Sequence, residues 1–351
     1  IMAQFHILKV KSIVRKTKKA VSITFLVPIN LKSAYNFKSG QYVTLKTLID
    51  GAEVRRDYSL SSSPKSGDLT VTVKEIKNGL FSTYANNTLK PGDNIEVGIP
   101  NGRFVYEPKT ANRNSIVAFA AGSGITPIMS IIQTALESNT ENELTLIYGN
   151  KSPEKTIFYE ELLNLQDRNP ERFKIQFVYS ESDEEGAMFG RIDAANINYL
   201  FKNNIQLKHT QLFYLCGPKE MIETTNTILS NNGVQDERVF FELFTSSNVV
   251  QNKSGVGKGE TKITLLVDDE ETTLLMFQSQ TILEIALKND IDAPYSCQGG
   301  VCSSCICRIK DGSAVMRQNN ILTDSEVNEG LVLSCQAEPT SSILKVDFDD
   351  V

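Results

Sequence analysis

Apolar and polar residues alternate with a period of two through the first hundred residues, in short runs: Phe5–Val14, Ala20–Val27, Tyr42–Leu48, Tyr58–Leu60, Leu69–Lys74 and Asn94–Val97. Ser39-Gly40, Asp50-Gly51, Pro64–Gly67 and Pro91-Gly92-Asp93 punctuate them as turns. Six short strands with little helix predict a small antiparallel barrel. Near Asn112 the period changes. Ile116–Ala121 is unbroken apolar sequence, as in a strand covered on both faces. Ile128, Ile131, Ile132, Ala135 and Leu136 then recur at helical spacing. Strand–helix pairs follow at Leu144–Tyr148 with Phe158–Gln166 and at Leu212–Cys216 with Lys219–Leu229. Strands Lys174–Tyr179 and Val239–Leu243 complete an expected parallel α/β sheet.

Ser246–Gly259 is rich in Ser, Asn, Gln, Lys and Gly, lacks a periodic apolar face and reads as a linker. Beyond it, strands are expected at Lys262–Val267, Thr272–Phe277, Ile306–Ile309 and Leu344–Phe348. A helix is expected from Thr281 to about Asn289, an order compatible with a β-grasp. The expected division is a barrel at residues 1–109, an α/β domain at 110–245, a linker at 246–260 and a β-grasp domain at 261–351.

Cys297, Cys302 and Cys305 have the spacing C-x4-C-x2-C, and Cys335 follows after 29 intervening residues. This is the ligand pattern of a plant-type 2Fe-2S cluster. Zinc sites usually pair cysteines as C-x2-C twice. Gly299 and Gly300 would let the loop take positive φ and bring backbone N–H groups to sulfur. Cys307 matches no ligand position and reads as a strand residue.

Elsewhere the candidates are weaker one by one. In Arg56-Asp57-Tyr58-Ser59 a guanidinium could hold a pyrophosphate, a phenol could cover a flavin ring and a hydroxyl could bond its redox nitrogen. An Arg and a Tyr alternating on a strand are also ordinary surface and core. Gly79-Leu80-Phe81-Ser82 could open a helix whose free N–H groups receive phosphate, or simply cap one. Gly122-x-Gly124-x-Thr126-Pro127 sits between strand and helix, where a dinucleotide pyrophosphate binds, but departs from G-x-G-x-x-G. Pro127 suits the first position of that helix. Cys216-Gly217-Pro218 marks a second strand-to-helix turn on the same sheet edge, although a lone cysteine is also a small buried hydrophobe.

The 351 residues carry a net charge of −6, unevenly spread. Thr261–Val351 holds 15 acidic and 6 basic residues, or −9, which leaves +3 for the rest. That balance argues against nucleic-acid binding by the C-terminal part. It suits an acidic face docking on a basic partner, or plain solvated surface. No signal peptide is visible, and Ile116–Ile132 is too interrupted by Gly, Ser, Thr and Pro to cross a membrane. Thiolate ligands point to the reducing cytoplasm. Only His6 and His209 are present, so no Ser–His–Asp set is expected, and no diiron Glu-x-x-His pairs appear.

In order, Arg56-x-Tyr58-Ser59, Gly79-x-x-Ser82, Gly122-x-Gly124-x-Thr126-Pro127 and Cys216-Gly217-Pro218 resemble the motifs of the ferredoxin–NADP⁺ reductase superfamily. The tail resembles a plant-type ferredoxin. The arrangement, with its ending Val346-Asp347-Phe348-Asp349, is similar to the reductase subunits of phenylacetyl-CoA epoxidase systems. The resemblance implies FAD, in preference to FMN, held by Arg56 and Ser82 at the phosphates and by Tyr58 and Ser59 at the ring. It implies NAD(P)H against Gly122, Gly124 and Thr126, with Cys216 beside the nicotinamide and Glu242 and Phe244 near the flavin. Ser180 is followed by Glu181, which repels a 2′-phosphate, while Lys151 and Arg191 offer positive charge; the resemblance leans to NADPH.

The expected activity is oxidoreduction, with electrons passing from NAD(P)H through flavin and the 2Fe-2S cluster to a separate oxygenase component. Serving a ring-hydroxylating dioxygenase or another monooxygenase is an alternative, and a non-catalytic redox sensor is another.

Overall fold

A computed structural model describes residues 5–108, 114–139, 141–244 and 259–351. The chain divides into two compact units, one spanning His6–Phe244 and the other C-terminal. Most of the expected linker and the expected boundary at 109/110 lie outside the described residues.

The first unit begins with β1 (Phe5–Thr17), β2 (Ala20–Leu26), β3 (Tyr42–Ile49), β4 (Ala52–Ser59), β5 (Leu69–Lys74), helix α1 (Leu80–Asn87) and β6 (Asn94–Gly98). The strands run in the order β4-β3-β6-β1-β2-β5. A bridge between Leu60 and Val71 joins the two ends of that order. Leu8, Val43, Leu45, Val71 and Val97 fill the interior. β4 starts six residues before the expected strand, because it passes through charged residues that mask its alternation. Arg55 is buried there, its Nε donating to Glu53 Oε1 at 2.8 Å. The turn expected at Asp50-Gly51 joins β3 to β4, with φ of 53° and 80° and Ile49 paired to Ala52. Two left-handed residues match the twist of a hairpin.

The second half holds β7 (Ser115–Ala121), α2 (Ile125–Ser138), β8 (Glu143–Asn150), α3 (Tyr159–Arg168), β9 (Phe173–Tyr179), β10 (Met188–Phe189), α4 (Ala194–Asn203), β11 (Leu212–Gly217), α5 (Lys219–Asn231) and β12 (Val239–Leu243). The sheet order is β10-β9-β8-β7-β11-β12, parallel throughout. β7 is central and its residues Ile116–Ala120 are buried, as its unbroken apolar run requires. Helix α2 starts at Ile125, two residues before Pro127, because the 3₁₀ turn Gly122–Gly124 leads straight into it. Pro127 still falls among the first four N–H positions, where an amide has no helical acceptor. Barrel and sheet meet directly: Ser130 Oγ of α2 donates to Ser62 O at 2.7 Å, and Phe104 packs edge-on to Tyr214.

The C-terminal unit comprises β13 (Glu260–Val267), β14 (Glu270–Phe277), α6 (Ile282–Lys288), β15 (Ile306–Asp311), β16 (Ala314–Met316), α7 (Asp324–Asn328), β17 (Leu331–Leu333), β18 (Ala337–Pro339) and β19 (Ile343–Asp347). Its main sheet runs β14-β13-β19-β15-β17, with β13 and β19 parallel at the centre. Helix α6 buries Ile282, Leu283, Ile285 and Ala286 against it and starts with a capping box of Thr281 and Glu284. This is the expected β-grasp. Among the described residues no helix is long and apolar enough to cross a membrane.

Candidate functional site

At the end of β4 the side chain of Ser59 is buried, and its Oγ donates to Glu242 Oε2 of β12 at 3.2 Å. β12 lies in register with β11, so that Cys216 pairs with Glu242. Three expected residues thus converge, although barrel, β11 and β12 are far apart in the chain. Burial pushes the Glu242 carboxyl up to about 8; the Ser59 hydrogen bond opposes the rise and Asp57 adds to it. The Cys216 thiol is raised well above its ordinary value, first by burial and then by Glu242. It is a neutral thiol at physiological pH. Phe244 follows β12 and is partly exposed.

Tyr58, beside Ser59, packs against Phe81 of α1 with ring centroids 5.4 Å apart, and burial raises its phenol. Arg56 is exposed, with Nη1 donating to the Arg55 carbonyl at 2.6 Å. Gly79 caps the start of α1, whose first-turn N–H groups lack helical acceptors. A Cβ at Gly79 would collide with Ser82 Oγ and lie 2.5 Å from Ile76 Cγ1. Ser82 Oγ donates to Gly79 O and accepts from Ile76 N, both at 3.2 Å. That hydroxyl therefore braces the turn that opens α1. An arginine, a helix N-terminus and a half-buried tyrosine fit the phosphates and ring of a flavin.

Gly122 has φ of 55° and Gly124 closes the turn after β7. A Cβ at Gly124 would collide with the Cys216 carbonyl oxygen and lie 2.5 Å from its carbon. Glycine is thus required for the two strand-to-helix turns to touch. Gly217 is more loosely constrained, a Cβ there lying 2.7 Å from the mobile Met221 Cε and 3.2 Å from Ala121 Cβ. Pro218 precedes α5. Thr126 Oγ1 donates to Ser123 O at 3.1 Å, and Tyr148 OH donates to Gly122 O at 2.9 Å. The carboxyl edge of the sheet therefore presents two close-packed glycine turns at helix N-termini, the geometry that receives a dinucleotide.

Two lysines here carry no motif. Lys74, the last residue of β5, brings Nζ to 3.1 Å from where a Gly122 Cβ would stand; burial, then Lys151, lowers its basicity. Lys155 joins Lys151 in clamping Glu181, at 2.7 and 2.6 Å. These partners hold the Glu181 carboxyl at about 2. Arg191, the other cation expected there, is exposed. Neither lysine was legible alone, because a lysine ending a strand or following a turn is ordinary surface.

In the C-terminal unit the four cysteines expected as ligands gather as two pairs: Cys302 Sγ lies 3.1 Å from Cys297 Sγ, and Cys305 Sγ lies 3.3 Å from Cys335 Sγ. Among the described residues no set of three or more ligand side chains closes on one point. Two thiolates for each of two irons is the 2Fe-2S arrangement, whereas structural zinc needs four ligands about one centre. Gly299 N donates to Cys297 Sγ at 3.3 Å. Gly300 takes the expected positive φ of 67°, but the second left-handed residue is Gln298 at 52°, not Gly299. Ser296 Oγ and Ser334 Oγ, each preceding a ligand cysteine, are buried without a hydrogen-bond partner among the described residues. A sulfide-bearing group would supply acceptors in this pocket, so the residues fit the cluster. Cys307 stands apart in β15, its thiol directed to Val332 O at 3.8 Å.

Three families match in the same order. The oxidoreductase FAD-binding domain matches residues 8–106, the oxidoreductase NAD-binding domain 119–227 and the 2Fe-2S iron-sulfur cluster binding domain 260–340. The chain is 37% identical to a subunit of the 1,2-phenylacetyl-CoA epoxidase of Escherichia coli (strain K12), covering 99% of both chains. The chain belongs to this family of oxygenase reductase components. A second member, the ferredoxin reductase component of 3-ketosteroid-9-alpha-monooxygenase from Rhodococcus rhodochrous, is 31% identical over 97% of this chain and 96% of its own. The solved structure of phthalate dioxygenase reductase shares the fold, with a TM-score of 0.62, 24% identity and 98% coverage of each chain. The family thus carries FAD, NAD(P)H and 2Fe-2S binding domains on one polypeptide, and the chain is an oxidoreductase.

Proposed function

We propose that this reductase takes electrons from NAD(P)H and delivers them to a phenylacetyl-CoA epoxidase-type diiron monooxygenase in the cytoplasm. The observation that carries the reading is the meeting of Ser59 and Glu242 beside Cys216, which brings flavin-side and nicotinamide-side residues to one place. The 37% identity to a component of such an epoxidase supports the choice of oxygenase. The reading divides the chain at 109/110, 245/246 and 260/261.

In this reading Arg56, Gly79 and Ser82 hold the flavin phosphates, and Tyr58, Ser59 and Phe244 enclose the ring. Gly122, Gly124, Thr126, Gly217 and Pro218 form the nicotinamide nucleotide's bed, and Cys297, Cys302, Cys305 and Cys335 hold the cluster. When bound, the flavin supplies the conversion between a two-electron hydride donor and a one-electron cluster. The chain's own contribution is positional and protonic. Ser59 Oγ donates to Glu242 when that carboxyl is ionised; when Glu242 is protonated, the Ser59 proton is free to point elsewhere. With a carboxyl that titrates near 8, both states are populated at working pH. Cys216 offers a small, uncharged side chain beside Glu242.

Extraction of purified, anaerobically handled protein tests the reading. FAD, two irons and two sulfides per chain, bleaching on NAD(P)H, and turnover only with the epoxidase oxygenase are expected. Electron delivery to a ketosteroid monooxygenase or ring-hydroxylating dioxygenase instead would move the partner. Absence of bleaching would leave a sensor.

A further inference from the structure

We infer that Gln336 sets the reduction potential of the cluster by bridging its two ligand-bearing segments and donating a hydrogen bond to the Cys335 thiolate. The residue lies between β17 and β18 and is only 5% exposed. Its Nε2 is 3.1 Å from Gln298 O and 3.6 Å from Cys335 Sγ. A primary amide has two N–H groups, one for each acceptor. The first acceptor belongs to the loop that carries Cys297 and Cys302, and the second is the distant fourth ligand. One side chain therefore ties both thiolate pairs together.

The surroundings leave that amide little freedom. Gln336 N donates to Leu333 O at 2.8 Å, and Arg317 N donates to Gln336 O at 2.9 Å, so the backbone is held on both sides. Gly300 packs against the stem: a Cβ there would lie 3.0 Å from Gln336 Cγ. Gln298, which supplies the accepting carbonyl, has φ of 52°, a conformation that a residue with a Cβ adopts only when its neighbours hold it. The Gln336 amide is one such neighbour.

An N–H dipole aimed at sulfur favours the form with more negative charge. Reduction adds one electron, delivered from NAD(P)H by the family's own activity, and neither makes nor breaks a bond to Gln336. Hydrogen bonds to cluster sulfurs are among the levers that set iron–sulfur potentials. Gln336 therefore stabilises the reduced cluster and raises its potential. It is a positioning residue, touching the ligand sulfur and not the irons. The inference rests on the proposed function only in requiring a 2Fe-2S cluster on these four cysteines.

The test is a spectroelectrochemical titration of the full-length holoprotein with Gln336→Met and Gln336→Glu, with iron and sulfide counted in each. Methionine keeps the length but has no N–H; glutamate keeps the shape and adds negative charge. Expected are wild-type iron content, a midpoint lower by about tenfold in the equilibrium constant for Met, about 59 mV for one electron, and a larger drop for Glu. Loaded variants with the wild-type midpoint overturn the inference. Iron missing from the wild-type protein would instead overturn the cluster assignment itself. Should neither variant load, pulsed EPR of the reduced wild-type protein made with ¹⁵N-amide glutamine decides. Coupling of the cluster to a glutamine side-chain nitrogen upholds the inference, and no coupling overturns it.

Discussion

Ser59 and Glu242 are 183 positions apart, yet Ser59 Oγ rests 3.2 Å from Glu242 Oε2. The contact links the last residue of a barrel strand to the last strand of the parallel sheet. The Glu242 proton is the first consequence that can be measured.

Glu242 has a folded pKa near 8, above the ordinary carboxyl value of 4.5. The folded state then binds this proton more tightly than the unfolded chain does. Its stabilising effect is complete below about pH 4.5 and is lost as pH rises to about 8, at up to about 1.4 kcal/mol per pH unit. Chemical denaturation of wild type and Glu242→Gln across this window should show the wild type losing stability relative to the variant. Stopped-flow flavin reduction by NAD(P)H should show an inflection near pH 8 in wild type only. Parallel pH profiles would remove the assignment.

Gly124→Ala places a methyl group on the Cys216 carbonyl. Overpacking of this kind costs about 1–3 kcal/mol. Because the strain sits at the proposed nucleotide turn, KM for NAD(P)H should rise roughly tenfold or more while FAD content stays at wild-type level. Denaturant melts and steady-state kinetics check both halves. An unaltered KM would mean that the turn does not face the nucleotide.

Lys151, Lys155 and Glu181 together carry one net positive charge at the sheet edge. Glu181→Ala frees both lysines and should shift kcat/KM several-fold toward NADPH over NADH. Lys151→Ala with Lys155→Ala should shift it the other way. These pairs are exposed and screened by solvent, so melting temperatures should hardly move. A ratio indifferent to both changes would place the 2′-position elsewhere.

Cys302→Ser removes one member of the Cys297–Cys302 pair. Iron and acceptor-protein reduction should be lost, and reduction of bound FAD by NAD(P)H should survive. Cys307→Ala should retain full iron content, because that thiol is committed to Val332 O within β15. Iron analysis and visible spectra distinguish the two; iron loss from the Cys307 variant would reassign the ligands.

Spacing and period made much of this architecture readable in advance. Five of the six barrel strands and the buried β7 stand where their patterns placed them, and the four cysteines expected as ligands gather as two pairs. What escaped were features made by tertiary contact. The expected β4 was too short because the charged run Glu53–Asp57 masks its alternation; Arg55 is buried there in an ion pair with Glu53. Helix α4 and the short strands β10 and β16–β18 carry too few periodic residues to stand out. Gln298 was overlooked because glycine, not glutamine, is the residue expected at positive φ. Lys74 and Gln336 have no motif; only folding shows that one reaches a glycine turn and the other a thiolate.

The pairing of the cysteines also bears on how the C-terminal unit matures. Cys297 and Cys302 belong to one loop, so a nascent chain can present both before any sheet exists. Cys305 and Cys335 meet only after β15 has zipped to β17, a joint that Ser334 N closes on Cys305 O at 2.9 Å. That pair therefore has no set geometry until β15 and β17 are joined, and a metal group held by it would tie the two strands together. Loss of iron should accordingly loosen β17 well before it disturbs the hairpin of β13 and β14.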